Sequence, residues 1–255
     1  MPAGPAGPGV AERAAAAAQV LVADPDAPDL DPADRHHLAR VLRLRPGEAV
    51  VATDGRGRWR VCRYRGGSLE PDGPVHREPA PWPLLTVAFA PVKGDRPEWV
   101  AQKLTELGID RIVPLVTARG VVRWEGERRA KAVERLRRVA AEAAGQCRRV
   151  WLPEVTEPVG LADLPRLLAP PDPADQPAPA EPPALAQRGG PPPGPATVVV
   201  AVGPEGGWAP DELRLGWPTV GLGPLVLRAE TAAVAAGVLL AARRTGTVCD
   251  EGPRG

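Results

Sequence analysis

Two segments near the C-terminal end of this 255-residue chain combine the residue types needed to build a ligand site and act on what it holds. The first runs Val198-Val-Val-Ala-Val-Gly-Pro-Glu-Gly-Gly207 and the second Gly221-Leu-Gly-Pro-Leu-Val-Leu-Arg-Ala-Glu-Thr-Ala232. Each is an apolar run that stops at backbone-permissive or charged residues and leads into a helix, the arrangement by which α/β proteins place ligands at strand ends. Val198 to Val202 is a continuous apolar run, as expected of a parallel strand covered on both faces. Gly203, Gly206 and Gly207 let a ligand come close to the backbone. Pro210, Asp211 and Glu212 suit a helical first turn, although Ala209 lacks the capping side chain, a deficit of about 1 kcal/mol against Ser or Asp. No Lys-Ser/Thr pair follows, and the glycines do not fit G-x-G-x-x-G, so neither a phosphate loop nor a dinucleotide site is indicated. Taken alone, Gly203 to Gly207 could equally be a tight turn.

The second segment carries the charged chemistry. Leu225 to Leu227 is apolar, and Arg228-Ala-Glu230-Thr231 separates it from the small-residue helix Ala232 to Ala242. Arg228 and Glu230 are flanked by apolar stretches, so burial without partners would be costly. They are either a salt bridge that locks a turn or functional groups.

The elements that must position these loops follow from periodicity. Residues 1–18 read as a disordered or loosely helical extension. From 19 to 78 the chain alternates β-prone runs (Val20 to Val22, Ala49 to Ala52, Arg58 to Tyr64) with Pro/Gly/Asp turns. Within it a short basic helix starts at Asp31-Pro-Ala-Asp34, passes Leu42 and is ended by Arg45-Pro46-Gly47. After the linker Pro79 to Pro83 the period changes. Strands are expected at Leu84 to Ala90, Ile112 to Val116 and Val198 to Val202, with helices at Pro97 to Leu107, stopped by Gly108, and at Gly126 to Ala144. Such alternation predicts an α/β domain over 83–248 with a largely parallel sheet. A Pro-rich insertion at about 170–195 reads as a surface loop.

The formal net charge is +1, but basic residues cluster. Arg35, Arg40, Arg43 and Arg45 lie early, and Arg119, Arg123 and the run from Arg128 to Arg149 crowd the middle. These suit RNA phosphates, while Arg128 to Arg138 could equally be a solvated helix face. Cys62, Cys147 and Cys249 are too few and too far apart for a disulfide framework or zinc site, and the three histidines make no metal pattern. No signal peptide or membrane span is evident, so a cytoplasmic location with no membrane partner is expected.

Gly203-Pro-Glu-Gly-Gly207, Leu222-Gly223-Pro224 and Leu227-Arg-Ala-Glu-Thr-Ala232 resemble the cofactor loops of the knotted SPOUT methyltransferases. More narrowly, the chain resembles the ribosomal RNA small-subunit methyltransferase E family. The similarity includes Lys93-Gly-Asp95, Gln102 to Gly108, Ile112-Val-Pro114, Glu142, Gln146, Arg149 and Pro153, and reaches back to His37-Leu38, Val41-Leu-Arg43, Pro46-Gly47 and Asp54-Gly55. Departures are Gly145, where the family usually has Glu, and Ala209 in place of the usual Ser.

The resemblance implies a PUA-like β-barrel domain followed by a methyltransferase domain with a C-terminal trefoil knot. It implies methylation of N3 of a uridine in 16S rRNA of the small ribosomal subunit, with S-adenosylmethionine as cofactor, no metal, and a homodimer. The cofactor contacts map onto Val202, Gly203, Glu205, Gly207, Leu222, Gly223, Leu225, Val226, Leu227, Arg228, Ala229, Thr231 and Ala232, where a glycine Cβ would occupy the cofactor's place. Arg228 is expected to stabilise negative charge on the uracil carbonyls, and Glu230 to orient that arginine or take part in proton removal. Arg40, Arg43, Arg45, Lys93, Lys103, Arg119, Gln146 and Arg149 are the RNA-binding candidates, with surface pairing to Glu106 as the other reading of Lys103. The competing readings are a SPOUT ribose 2′-O RNA methyltransferase and a non-catalytic RNA-binding assembly protein.

Overall fold

The computed structural model describes residues 10–168 and 181–248. The described residues form two compact units, one drawn from 10–81 with 141–152, the other from 82–140 with 153–168 and 181–248.

The first unit is a small β-sheet covered on both faces. β1 (Ala18–Leu21) runs parallel to β2 (Ala49–Thr53), with Ala18 opposite Val50. β3 (Arg58–Tyr64) is antiparallel to β2, and β4 (Leu69–Pro71) and β5 (His76–Arg77) both pair with β3. The period of two explains both cores. Val50, Ala52, Cys62 and Tyr64 face one way, onto Val20, Leu30 and Leu38, while Val51, Trp59 and Val61 face the other, onto Ala16 and Val150. Burial pushes the Cys62 thiol up to about 11.

Three expectations take definite form or change here. Residues 10–15, read as part of a disordered or loosely helical extension, form helix α1 (Val10–Ala15), tied down by an ion pair between Arg13 and Glu78. The single basic helix is α2 (Pro32–His36), capped by Asp31 accepting from the Asp34 N–H at 2.7 Å, continued by a wider π-type turn over His37–Val41. Thirdly, 141–152 was assigned to the second domain, yet Val150 fills the first unit's core. Gln19 donates to Arg149 O at 2.7 Å, Leu152 N–H reaches Gly55 O at 2.9 Å, and Gly57 N–H reaches Val150 O at 3.0 Å. Gly57 has φ +89°, and a Cβ there would lie 2.6 Å from the Trp151 ring. Nothing in the local sequence marks a segment that returns to an earlier unit.

The second unit is the expected α/β domain. β6 (Thr86–Phe89), β7 (Arg111–Val116), β8 (Glu154–Val155), β10 (Ala184–Ala186), β11 (Val199–Val202) and β12 (Thr219–Val220) form a parallel sheet in the order β12-β10-β11-β6-β7-β8. β9 (Val159–Gly160) also pairs with β7. α3 (Arg96–Glu106) and α7 (Ala229–Arg244) cover one face through Val100, Leu104, Ala233, Ala236 and Leu240. α5 (Leu164–Leu168) and Trp208 cover the other with Leu161, Leu164, Val199 and Ala201. Gly237 is where α7 passes α3, since a Cβ there would sit 2.6 Å from Leu104 Cδ2. The far end of α7 is pinned by Arg244, which pairs with the buried Asp110 and donates to Gly108 O and Pro83 O, while Asp110 also accepts from Leu85 N–H at 2.9 Å.

Two further corrections concern the sheet. The insertion expected as loop over about 170–195 contains β10, an interior strand, while its residues 170–180 lie outside the described ones. The apolar run of the second ligand segment, Leu225 to Leu227, is no strand: Leu225 and Val226 are 74% and 77% exposed. The strand is Thr219–Val220, ahead of the segment. Along α4 (Gly126–Gln146), Arg129 and Arg137 pair with Glu157, Arg135 with Glu98 and Lys131 with Glu127, the solvated-face alternative for that basic run. Among the described residues there is no cluster that could hold a metal ion and no helix long and apolar enough to cross a membrane.

Candidate active site

Because β6, β7, β10, β11 and β12 are parallel, their C-terminal ends and the loops that follow meet at one edge of the sheet. A cavity of about 310 Å³ opens there. One wall is the end of β10 (Ala186, Gln187, Arg188), a second the loop after β11 (Val202, Gly203, Pro204, Glu205, Gly207, Trp208), and a third the loop after β12 into α7 (Leu222, Gly223, Leu225, Val226, Leu227, Ala229, Ala232), with Leu213 of α6 (Pro210–Leu213) beside them. The two sequence segments thus converge, and every expected cofactor contact except Arg228 and Thr231 lines the cavity. Sequence reading missed Ala186 to Arg188 and Trp208. The only signal for the former is three apolar residues, Ala184-Leu-Ala186, set in a Pro/Gly-rich stretch.

The glycines act in different ways. Gly207 has φ +68°, which its turn requires. At Gly203 a Cβ would meet the Trp208 ring at 3.0–3.2 Å, so the missing side chain makes room for the indole. Trp208 is in turn fixed by Nε1–H donating to Ala186 O at 3.1 Å, joining two walls of the cavity. Gly190 and Gly221 pass so closely that a Cβ on Gly221 would lie 2.3 Å from Gly190 O, and Gly221 N–H donates to Pro191 O at 2.7 Å.

These residues fit S-adenosylmethionine. Among the described residues the stretch from Leu222 to Leu227 makes no hydrogen bond, so its backbone donors and acceptors are open to an adenine edge. Leu222, Leu225 and Trp208 supply apolar cover, and a few polar groups set orientation.

A clamp holds the loop after β11. Arg119, expected to contact RNA, donates from Nη1 to Gly206 O at 2.9 Å. Glu212 accepts from Ala118 N–H at 2.9 Å and from Ala209 N–H at 2.6 Å, joining the loop after β7 to the start of α6. That carboxylate compensates for the missing side-chain cap at Ala209.

Arg228 is exposed at the N-cap of α7; its O accepts from Ala232 N–H at 2.8 Å, while its side chain makes no hydrogen bond or ion pair among the described residues. Glu230 does not pair with it, contrary to the salt-bridge alternative and to direct orientation of the arginine. Its Oε1 accepts from Arg96 Nη1 at 3.3 Å, and its Oε2 is buried without a partner. Arg96, at the first turn of α3, was not foreseen. Lys93 is exposed in the turn after β6, at the same sheet edge. Lys103 is bound by both Glu106 carboxylate oxygens at 2.8–2.9 Å, the surface-pairing alternative.

The remaining RNA candidates belong to the first unit. Arg40, Arg43 and Arg45 are exposed beside Val41 and Leu42, 61% and 43% exposed, and Arg43 has φ +53°. Gln146 ends α4 exposed, and the half-buried Arg149 spends its Nε–H on Trp151 O. Next to it, burial lowers the Arg148 pKa while Arg148 donates to Ala16 O at 2.8 Å and Gly145 O at 3.0 Å.

Residues 79–241 match the family described as RNA methyltransferase domain, and 30–68 match the RNA methyltransferase PUA domain. Ribosomal RNA small subunit methyltransferase E of Mycobacterium bovis is 34% identical over 215 residues, 78% of this chain and 80% of the relative; that of Synechocystis is 33% identical, covering 80% and 69%. Among solved structures, Ribosomal RNA small subunit methyltransferase E from Neisseria gonorrhoeae bound to S-adenosyl methionine superposes with TM-score 0.65 at 26% identity, covering 88% of this chain and 97% of that one. The putative methyltransferase Lpg2936 from Legionella pneumophila, in complex with SAM, gives TM-score 0.72 at 28% identity, covering 88% and 96%. A strand-end cavity with two walls made by the loops that carried the resemblance, and relatives matched over most of both chains, lead to one assignment: the chain belongs to the ribosomal RNA small subunit methyltransferase E family.

Proposed function

We propose that this protein transfers the methyl group of S-adenosylmethionine to N3 of a uridine in 16S rRNA of the small ribosomal subunit. The observation that carries the reading is the cavity at the sheet edge: two of its three walls are the loops that carry the resemblance, and Arg228, exposed and with its side chain uncommitted, stands directly beside it. The cofactor supplies an electrophilic methyl on a sulfonium, and the chain's own residues supply alignment, which is worth roughly 7–11 kcal/mol in the best cases. Arg228 stabilises the charge that develops on the uracil carbonyls as N3 loses its proton. Glu230 is a positioning residue: through Arg96 it joins the first turns of α3 and α7 and so sets where Arg228 stands. Its second oxygen is closed off, so the proton leaves to water.

The same reading gives the chain a trefoil knot, for which the tight passage of Gly221 against Gly190 is the supporting detail. It gives the first unit a PUA-like barrel that holds RNA through Arg40, Arg43 and Arg45, in which the adjoining apolar Val41 and Leu42 suit base contact. It makes the active form a cytoplasmic homodimer, in keeping with the apolar Leu225, Val226 and Val238 left exposed on the site loop and α7. Nucleoside mass spectrometry of 16S rRNA from cells lacking the gene tests the activity. The expected result is loss of 3-methyluridine, restored by the wild-type gene and not by Arg228→Ala. Persistence of 3-methyluridine in the deletion strain refutes the substrate, and full restoration by Arg228→Ala refutes the role of the arginine.

A further inference from the structure

Resting on the reading of the cavity as an S-adenosylmethionine site, we propose that Arg188 binds the α-carboxylate of the cofactor's amino-acid end. Among the described residues lining the cavity only two carry charge, Arg188 and Glu205, and they are of opposite sign. They follow adjacent parallel strands: β10 and β11 pair with Ala184 opposite Val200, Arg188 lies two residues past the end of β10, and Glu205 three past the end of β11. Neighbouring strands are about 4.8 Å apart, so two such residues can address the two ends of a group as small as an amino-acid zwitterion.

The amino-acid end of the cofactor carries one carboxylate and one ammonium on a single carbon. In a mostly apolar cavity each needs a partner of opposite sign, because an uncompensated charge there is costly. Glu205 matches the ammonium. Arg188 matches the carboxylate, since a planar guanidinium presents paired donors to a planar acceptor. The arginine is also uncommitted, being exposed and without a hydrogen bond or ion pair among the described residues. Its backbone is held by a tight turn in which Gln187 N–H donates to Val220 O at 2.9 Å and Gly190 N–H to Gln187 O at 3.1 Å, while Gly189 has φ +77°. That turn aims a free cation at a wall of the cavity.

Isothermal titration of the full chain with four compounds tests this: S-adenosylmethionine, S-adenosylhomocysteine, decarboxylated S-adenosylmethionine and methylthioadenosine. The first two carry the carboxylate and the last two lack it. Arg188→Ala is expected to weaken the first two by roughly tenfold, as befits a charge-assisted hydrogen bond at an exposed residue, and to leave the last two within about twofold. Arg188→Lys, which keeps the charge and loses the fork, is expected to fall between. Equal weakening of all four overturns the proposal, because Arg188 would then shape the cavity without reading the carboxylate. Unchanged affinity for S-adenosylhomocysteine also overturns it and leaves the arginine for RNA. A wild-type chain that binds none of the four refutes the cavity assignment itself, a different failure from the other two.

Discussion

Replacing Gly203 with alanine separates two explanations of why the loop after β11 needs a glycine. Gly203 does not have a positive φ, so alanine brings no backbone strain. The added Cβ would lie 3.0, 3.1 and 3.2 Å from three Trp208 ring atoms. Ordinary carbon contacts need about 3.5–4.0 Å, so the indole must retreat by roughly half an ångström. Trp208 is only 7% exposed, and its Nε1–H bond to Ala186 O is already 3.1 Å long, so such a retreat breaks it. The lost bond is worth about 0.5–1.5 kcal/mol and the overpacking about 1–3 kcal/mol, a total near 3 kcal/mol. The Trp208 ring also lines the cavity, so S-adenosylhomocysteine binding should weaken with it. The assay is a double-mutant cycle of Gly203→Ala and Trp208→Leu, read by thermal unfolding and by titration with S-adenosylhomocysteine. With the indole removed, Gly203→Ala should add almost nothing to either readout. If the two penalties for binding simply add, the Cβ collides with the cofactor rather than with the indole, and the reasoning is refuted.

Two further outcomes follow from the same geometry. Glu212→Gln keeps shape but turns one of two acceptor oxygens into a donor facing a backbone N–H, of Ala118 or Ala209. At this half-buried carboxylate it should cost about 1.5 kcal/mol, a fall of roughly 3–6 °C in Tm, and speed amide exchange at both residues; an unchanged Tm with unchanged exchange would mean that the clamp carries no energy. Arg244→Ala strands the Asp110 carboxylate, which is 6% exposed, and should destabilise the chain by about 3–5 kcal/mol in denaturant titration, whereas a loss under 1 kcal/mol would place that ion pair among the weak surface ones.

The sequence alone was enough to single out two loops that converge on the cavity. Val198 to Val202 could be read as a strand covered on both faces because five consecutive apolar residues fit little else, and Gly203 to Gly207 as its loop because three glycines cannot stay in a strand. Arg58 to Tyr64 emerged with its bounds intact for the same kind of reason, a β-prone run between Gly/Asp turns. The loops that line the cavity could be named residue by residue, since the resemblance follows chain order. What lay beyond reach were the decisions made by neighbours distant in sequence. β10 is three residues long and sits in a Pro/Gly-rich stretch, so only pairing with β11 and β12 makes it a strand and brings Arg188 to the cavity. Residues 141–152 join the first unit because Val150 and Trp151 find their cover there, which no local period encodes. Glu230 takes Arg96 rather than Arg228 because the packing of α7 on α3 brings together two first turns 134 residues apart, whereas Arg228, two residues away, points outward. Hydrophobic period and turn chemistry are local and fix the elements; which charge meets which is a property of the packed helices and sheet, and only the tertiary structure decided it.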